Sequence, residues 1–178
     1  MDRVLIAGIS GAGKTTLAKA VEERLGLPWY ELDALHHGPG WVKRSEFESD
    51  VEAFAAEPRW VTEEQYHGRL GDLLWNRADT LVWLDLPRPT VMRQVVRRSV
   101  VRALTRRQLW NGNRESLRGW LDPGHPMRWA WSQHARKRIV IAERIAAHPH
   151  LHVVRLTSPD EVRRWSAALS PRRQPKPE

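Results

Sequence analysis

A three-layer parallel α/β domain is the fold this sequence predicts, and three observations predict it. Short apolar runs alternate with stretches of helical periodicity along the 178 residues. The first run ends in a glycine-rich turn that leads straight into a helical pattern. A later run, Leu81 to Leu84, is apolar without a break, as strands buried on both faces of a parallel sheet are.

The elements follow in order. Val4 to Ala7 reads as a buried strand running into Gly8. A helix is expected from about Lys14, with Leu17, Ala18, Val21 and Leu25 on one face and Gly26 to end it. Trp29 to Leu32 reads as a short second strand closed by Asp33. After the turn at Gly38-Pro39-Gly40, Ser45 and Glu48 form a capping-box pattern before a helix whose apolar positions are Phe47, Val51 and Phe54. Pro58 stops it. Arg59 to Thr62 gives a third strand, and Tyr66, Leu70, Leu73, Leu74 and Arg77 follow at helical spacing. Thr80 to Leu86 is the fourth strand. A long helix is expected from near Thr90, and another from about Met127 to Ala147. Leu151 to Leu156 is the last strand. Ser158-Pro159-Asp160-Glu161 then combines a cap, a proline at the first position and a glutamate three residues after the cap.

This arrangement predicts one domain over residues 1–169. It carries an acceptor-side flap at about 34–58 and a helical, arginine-rich lid at about 98–125, and the proline-rich tail at 170–178 is expected to be disordered. No cysteine is present, which excludes disulfide scaffolds, thiolate zinc sites and cysteine nucleophiles. Apolar runs such as Val4 to Ala7 fall far short of the ~20 residues a spanning helix needs, and the mean hydropathy is −0.57. The first residues lack the pattern of a signal peptide, so a cytoplasmic location is the expectation. Ten tryptophans are expected to serve mainly as core filler, their indole N–H groups finding partners.

Charge is unevenly divided. Residues 1–90 hold 10 basic against 15 acidic side chains, net −5, and residues 91–178 hold 19 against 6, net +13. The basic half either meets an anion or faces water.

Gly8-Ile9-Ser10-Gly11-Ala12-Gly13-Lys14-Thr15 matches the phosphate-binding loop pattern G-x-x-x-x-G-K-[ST] at every position. Its glycines let the backbone curl so that successive N–H groups point at phosphate oxygens. Gly8, Ser10, Gly11, Ala12, Gly13, Lys14, Thr15 and Thr16 are therefore the expected nucleotide-binding residues. Lys14 would reach the β- and γ-phosphates, and Thr15 would offer its hydroxyl to Mg²⁺. A nucleoside triphosphate is the expected ligand.

A phosphoryl transferase also needs an acceptor pocket, a group to orient or deprotonate the acceptor, and cations that follow the moving charge. Asp33, Glu63, Glu64 and Asp85 stand at the ends of strands two, three and four, where an open α/β sheet places its ligand crevice. Asp33 is a candidate either to accept a proton from an acceptor hydroxyl or to bind it. Glu63 and Asp85 are alternative candidates to hold Mg²⁺ through water, and any of these acids can instead cap a neighbouring helix. His36 and His37 adjoin the expected acceptor pocket.

Arg93, Arg97, Arg98, Arg102, Arg106, Arg107, Arg114 and Arg118 stand against a single acid, Glu115. Arg98, Arg102 and Arg106 recur every four residues on one helix face, opposite Met92, Val96 and Val100. Forked, permanently charged guanidinium groups suit phosphate, and beside a phosphate loop these three are expected to close over the transferring group as catalytic residues. A nucleic-acid face is the alternative, with Trp110 and Trp120 as stacking groups.

The order of these segments resembles a known family. Gly8–Thr16, Glu31-Leu32-Asp33-Ala34-Leu35-His36, Gly40-Trp41, Trp60-Val61 and Val82-Trp83-Leu84-Asp85-Leu86-Pro87 follow one another as in the small adenylate-kinase-related P-loop proteins often labelled topology modulation proteins. The Arg98–Arg106 run and Leu109-Trp110-Asn111-Gly112-Asn113-Arg114-Glu115 resemble that group's lid, and the likeness covers residues 3–125. It implies a nucleoside-monophosphate-kinase-like fold with five parallel strands in the order 2-3-1-4-5, and ATP with Mg²⁺ as phosphoryl donor. Where the family has an Asp-Gly pair after the third strand, this chain has Thr62-Glu63-Glu64-Gln65-Tyr66, which puts Glu63 in the place of the aspartate. The Asp-Gly-Phe-Pro-Arg segment of adenylate kinases is absent, which argues against AMP as acceptor. The resulting expectation is an ATP-dependent kinase of a nucleotide, nucleoside or similar hydroxylated metabolite. The alternative is a nucleotide-binding regulatory protein whose basic half contacts nucleic acid.

Overall fold

All five strands are present and parallel. β1 (Arg3–Gly8), β2 (Trp29–Tyr30), β3 (Trp60–Glu63), β4 (Thr80–Leu84) and β5 (His152–Leu156) pair in the order β2-β3-β1-β4-β5. The structure is a computed structural model, and it describes residues 1–105 and 126–170. The expected tail beyond residue 170 and most of the expected lid, including Arg106, Trp110, Arg114, Arg118 and Trp120, lie outside the described residues.

Strand period divides the core into two layers. Val4, Ile6, Val61, Val82 and Leu84 face one side, where they meet Leu17, Ala18 and Val21 of α1 (Lys14–Leu25) and Val91 and Val95 of α6 (Arg88–Thr105). Val162 and Trp165 of α8 (Pro159–Ala168) close that layer. Leu5, Ala7, Trp60, Leu81 and Trp83 face the other side, against α3 (Phe47–Ala55), α5 (Leu73–Arg77) and Ile141 of α7 (Pro126–Ala147). Trp60 and Trp75 are completely buried here, and truncating either to alanine is expected to cost about 3–5 kcal/mol. Contrary to expectation, the indole N–H groups of Trp29, Trp60 and Trp75 are buried without hydrogen-bond partners, and cations lie over two of the rings, Lys19 over Trp29 and Arg144 over Trp75. No helix among the described residues is long and apolar enough to cross a membrane.

Three local expectations are corrected. The second strand stops at Tyr30, because the chain turns at Glu31 and begins a short helix, α2 (Leu32–His36), that carries Asp33 in its first turn. The Glu31 carbonyl accepts from the N–H groups of Ala34 and Leu35, which starts that turn. Ser45 caps no helix. Its hydroxyl donates to the Glu46 carboxylate, and α3 opens at Phe47 with no side-chain cap. The helix expected across Tyr66 to Arg77 is divided into α4 (His67–Leu70) and α5 by Gly71, whose φ is 52°. The start of α8 is as expected: Ser158 Oγ accepts from the Glu161 N–H at 3.2 Å.

Candidate active site

The strand order reverses direction around β1, between β3 on one side and β4 on the other, and ligand crevices open at such points beyond the carboxyl ends of the strands. β1 delivers Gly8 to this edge, and residues 9–13 form the turn into α1. Gly13 caps α1 with a φ of 98° and no side-chain oxygen, which leaves the first helical N–H groups directed at whatever anion sits there. Gly11 has a φ of 86°, and a Cβ on it would stand 2.1 Å from Val95 Cγ2 on α6. Only glycine fits that contact.

Lys14 is buried, and its Nζ donates to the Gly8 carbonyl at 3.1 Å. Burial pulls its pKa below the ordinary lysine value, and the charges of Glu63, Glu64 and Asp33 oppose that pull, while Lys137 adds to it. Asp33 also acts on Glu63. The sheet thus gathers Lys14, Asp33 and Glu63, which are far apart in sequence, into one electrostatic neighbourhood.

Glu63 is buried at the end of β3. Burial raises its carboxyl above the usual glutamate range, and the Lys14 charge and the Thr15 hydroxyl oppose this. Gln65 Nε2 donates to Oε2 at 3.1 Å, whereas Oε1 is buried with no hydrogen-bond partner. A buried carboxylate oxygen without a partner, with a threonine hydroxyl beside it, is a donor set of hard oxygens, and it fits Mg²⁺.

Glu64 and Asp85 have the opposite surroundings. Glu64 accepts from Lys137 Nζ at 2.5 Å and Arg144 Nη1 at 3.1 Å. Asp85 accepts from Arg138 Nε and Nη2, at 2.6 and 3.0 Å, and from Arg155 Nε and Nη2, at 2.9 and 2.5 Å. Their oxygens are occupied in tying α7 and β5 to the sheet, so Asp85 is not placed as a metal ligand. Sequence reasoning missed these cations. The spacing of Lys137 and Arg144, seven apart on one helix, was the signal available.

Asp33 sits half-buried at the mouth of the crevice, and Tyr66 donates its phenol hydrogen to Oδ1 at 2.5 Å. His36 stacks on the Tyr66 ring with centroids 4.2 Å apart, and His37 Nε2 lies 3.3 Å from the phenol oxygen. Both histidines therefore lie against the tyrosine that bonds Asp33. Burial, then the positive charges of His37, Arg69 and Lys43, hold the pKa of His36 below its ordinary value. Arg69 grips Glu48 at 2.5 and 2.8 Å, and Arg44 pairs with Asp50 at 2.9 Å.

The remaining expected residues are placed as follows. Ser10 and Thr15 are half-buried along the loop, Ala12 is buried, and Thr16 faces solvent. Arg98 lies on α6, one turn beyond the Val95 that rests on Gly11. Arg102 falls on the same helix, with its side chain outside what is described.

The fold and its glycine loop define the class: this is the parallel α/β fold of the P-loop kinases. No family model matches the chain. A shikimate kinase from Bacteroides thetaiotaomicron is 29% identical over 79 residues, which make up 44% of this chain and 30% of that protein. The match thus spans about a third of that relative's length. Among solved structures, shikimate kinase from Acinetobacter baumannii in complex with shikimate superposes with a TM-score of 0.56 at 15% identity, over 94% of this chain and 89% of that one. A sugar kinase from Janibacter matches at 0.43 and 18% identity, over 93% and 92% of the two chains. A gluconokinase from Sinorhizobium meliloti matches at 0.41 and 17%, over 82% and 96%.

Proposed function

We propose that the protein is an ATP-dependent phosphotransferase that moves the γ-phosphoryl group to a hydroxyl of a small metabolite. The observation that carries this reading is the meeting of Lys14, Glu63 and Asp33 at the mouth of the glycine loop. A shikimate kinase among the sequence relatives, and shikimate, sugar and gluconokinases among the structural neighbours, agree with a polyhydroxylated acceptor. The segment Glu31–His36 and the lid-like arginines keep the adenylate-kinase-related, topology-modulation-like group as the finer family assignment.

The loop N–H groups and Lys14 bind the phosphates. Thr15 and Glu63 are the residues that would hold Mg²⁺, whose charge offsets that developing on the phosphate oxygens. Asp33 accepts the proton of the acceptor hydroxyl as its oxygen bonds to the γ-phosphorus and the bond to the β–γ bridging oxygen breaks. Arg98, Arg102 and Arg106 stabilise the charge in transit.

The test is ADP release from ATP and Mg²⁺ against a panel of sugars, sugar acids, shikimate and nucleosides, with Lys14→Ala as control. Stimulation by a panel member, lost by at least about a thousandfold in Lys14→Ala with an unchanged melting temperature, supports the reading. Stimulation by nucleic acid alone would replace it with the regulatory alternative.

A further inference from the structure

The Tyr66 backbone and side chain are both unusual. Among the described residues it is the one non-glycine position with a positive φ, 53°, a region that side chains other than glycine, asparagine and aspartate rarely enter. Such outliers persist where their surroundings hold them, and they gather at functional sites. Here the ring is held by the His36 stack and by the edge of Phe47, with centroids 5.1 Å apart. A phenylalanine would fill that slot equally well. What the hydroxyl adds is a 2.5 Å hydrogen bond to Asp33 Oδ1.

We propose that Tyr66 is a positioning residue of the acceptor site: its phenol pins Asp33 Oδ1, so that the acceptor hydroxyl is met by Oδ2. The inference rests on the kinase reading above and assigns a role that the reading does not contain. Among the described residues no hydrogen bond reaches Asp33 Oδ2. A free carboxylate rotates and presents either oxygen, whereas this one is fixed at one end by a donor built into the end of β3 and the start of α4. The phenol remains a donor throughout. Burial first, then its bond to Asp33 and the charge there, push its pKa above the ordinary tyrosine value. In the transfer step the acceptor O–H bond breaks and its proton goes to Oδ2. The acceptor oxygen forms the new bond to phosphorus, and the β–γ bridging oxygen leaves with its electron pair on ADP. Tyr66 keeps its own proton. Its contribution is orientation, which is effective because small misplacements of a reacting pair lower rates steeply.

The experiment is a double-mutant cycle of Tyr66→Phe and Asp33→Asn, read with ATP and Mg²⁺ and shikimate, D-gluconate or D-glucose as acceptor. Tyr66→Phe retains the ring and its stack, and is expected to lower kcat/KM for the acceptor by roughly 10- to 100-fold, with KM for ATP within about twofold. In the Asp33→Asn background the same change is expected to add less than about twofold. A loss equally large in both backgrounds, or an unaltered Tyr66→Phe enzyme, would overturn the role. A second measurement needs no acceptor. Carbon-13 NMR of the Asp33 side chain is expected to report one rotamer in the wild type and averaging in Tyr66→Phe. One unchanged rotamer in both proteins would sink the proposal by itself. If none of the three acceptors stimulates the wild type while averaging is seen, the pinning stands and the choice of acceptor class in the kinase reading is what fails.

Discussion

Glu63 and Glu64 are neighbours in sequence, both buried, and they stand in opposite chemical circumstances. Glu64 is met by two cations from α7 and has both oxygens engaged. Glu63 has one buried oxygen with no partner, and its carboxyl is pushed up by burial. A strand sends successive side chains to opposite faces, so one residue of register separates a carboxylate that clasps a helix from one that faces the phosphate loop. Burial alone does not mark a functional acid. What distinguishes the two, among the described residues, is whether a cation grips the carboxylate directly.

The comparison breaks most visibly in Glu63→Gln. Turnover is expected to fall by about a hundred- to a thousandfold, because the amide keeps the shape but not the charge that the proposed mechanism sets against Mg²⁺. Stability should hold or rise, since an underpaired buried carboxylate is removed. Steady-state kinetics and thermal melting on the same variant check both halves. A variant that lost stability and kept turnover would give the two glutamates the same role.

Glu64→Gln should do the reverse. Removing one partner from a buried ionic group costs about 3–5 kcal/mol, and here it leaves Lys137 and Arg144 facing each other. Denaturant unfolding is expected to show that loss, with KM for ATP altered far less than the stability.

The smallest effect is in pH dependence, and it sharpens the contrast. The folded-state pKa of Glu63 lies above its unfolded value, so the folded chain holds the proton more tightly. Its contribution to stability is complete below the unfolded value of 4.5 and is lost as pH rises through the folded pKa. Relative to wild type, Glu63→Gln is therefore expected to gain stability on going from acid to neutral pH. Melting curves of the two proteins across that range test the sign, and parallel curves would remove the desolvation argument.

The parts of this picture written in local sequence were the legible ones. The glycine loop, the apolar strands β1 and β4 and the capped start of α8 each depend on residues within one turn or strand of each other. The sheet order came from the resemblance and is confirmed. The end of β2 was misread because Leu32 is buried equally well from a helix as from a strand, and an apolar residue does not say which. The clasps on Glu64 and Asp85 were invisible because their cations lie 53 to 80 residues away. Tyr66 was read as one more position on a helical stripe, and nothing in the residue type announces its left-handed backbone. Asp33 is legible in the sequence as an acid that follows the second strand, whereas Tyr66, the partner of its Oδ1, is not.

Val95 seated against Gly11 bears on how tightly a nucleotide is held. A glycine-rich loop loose in water samples many conformations, and fixing each residue costs roughly 1–2 kcal/mol in entropy. In this chain Ile9 and Ala12 are buried in the same apolar layer as Val91 and Val95, so the loop is ordered when the domain folds rather than when phosphate arrives. Binding then forfeits little backbone freedom. Affinity for a nucleotide would then be set in part from behind the loop, by the apolar Val91 and Val95 of α6, which need never touch the ligand.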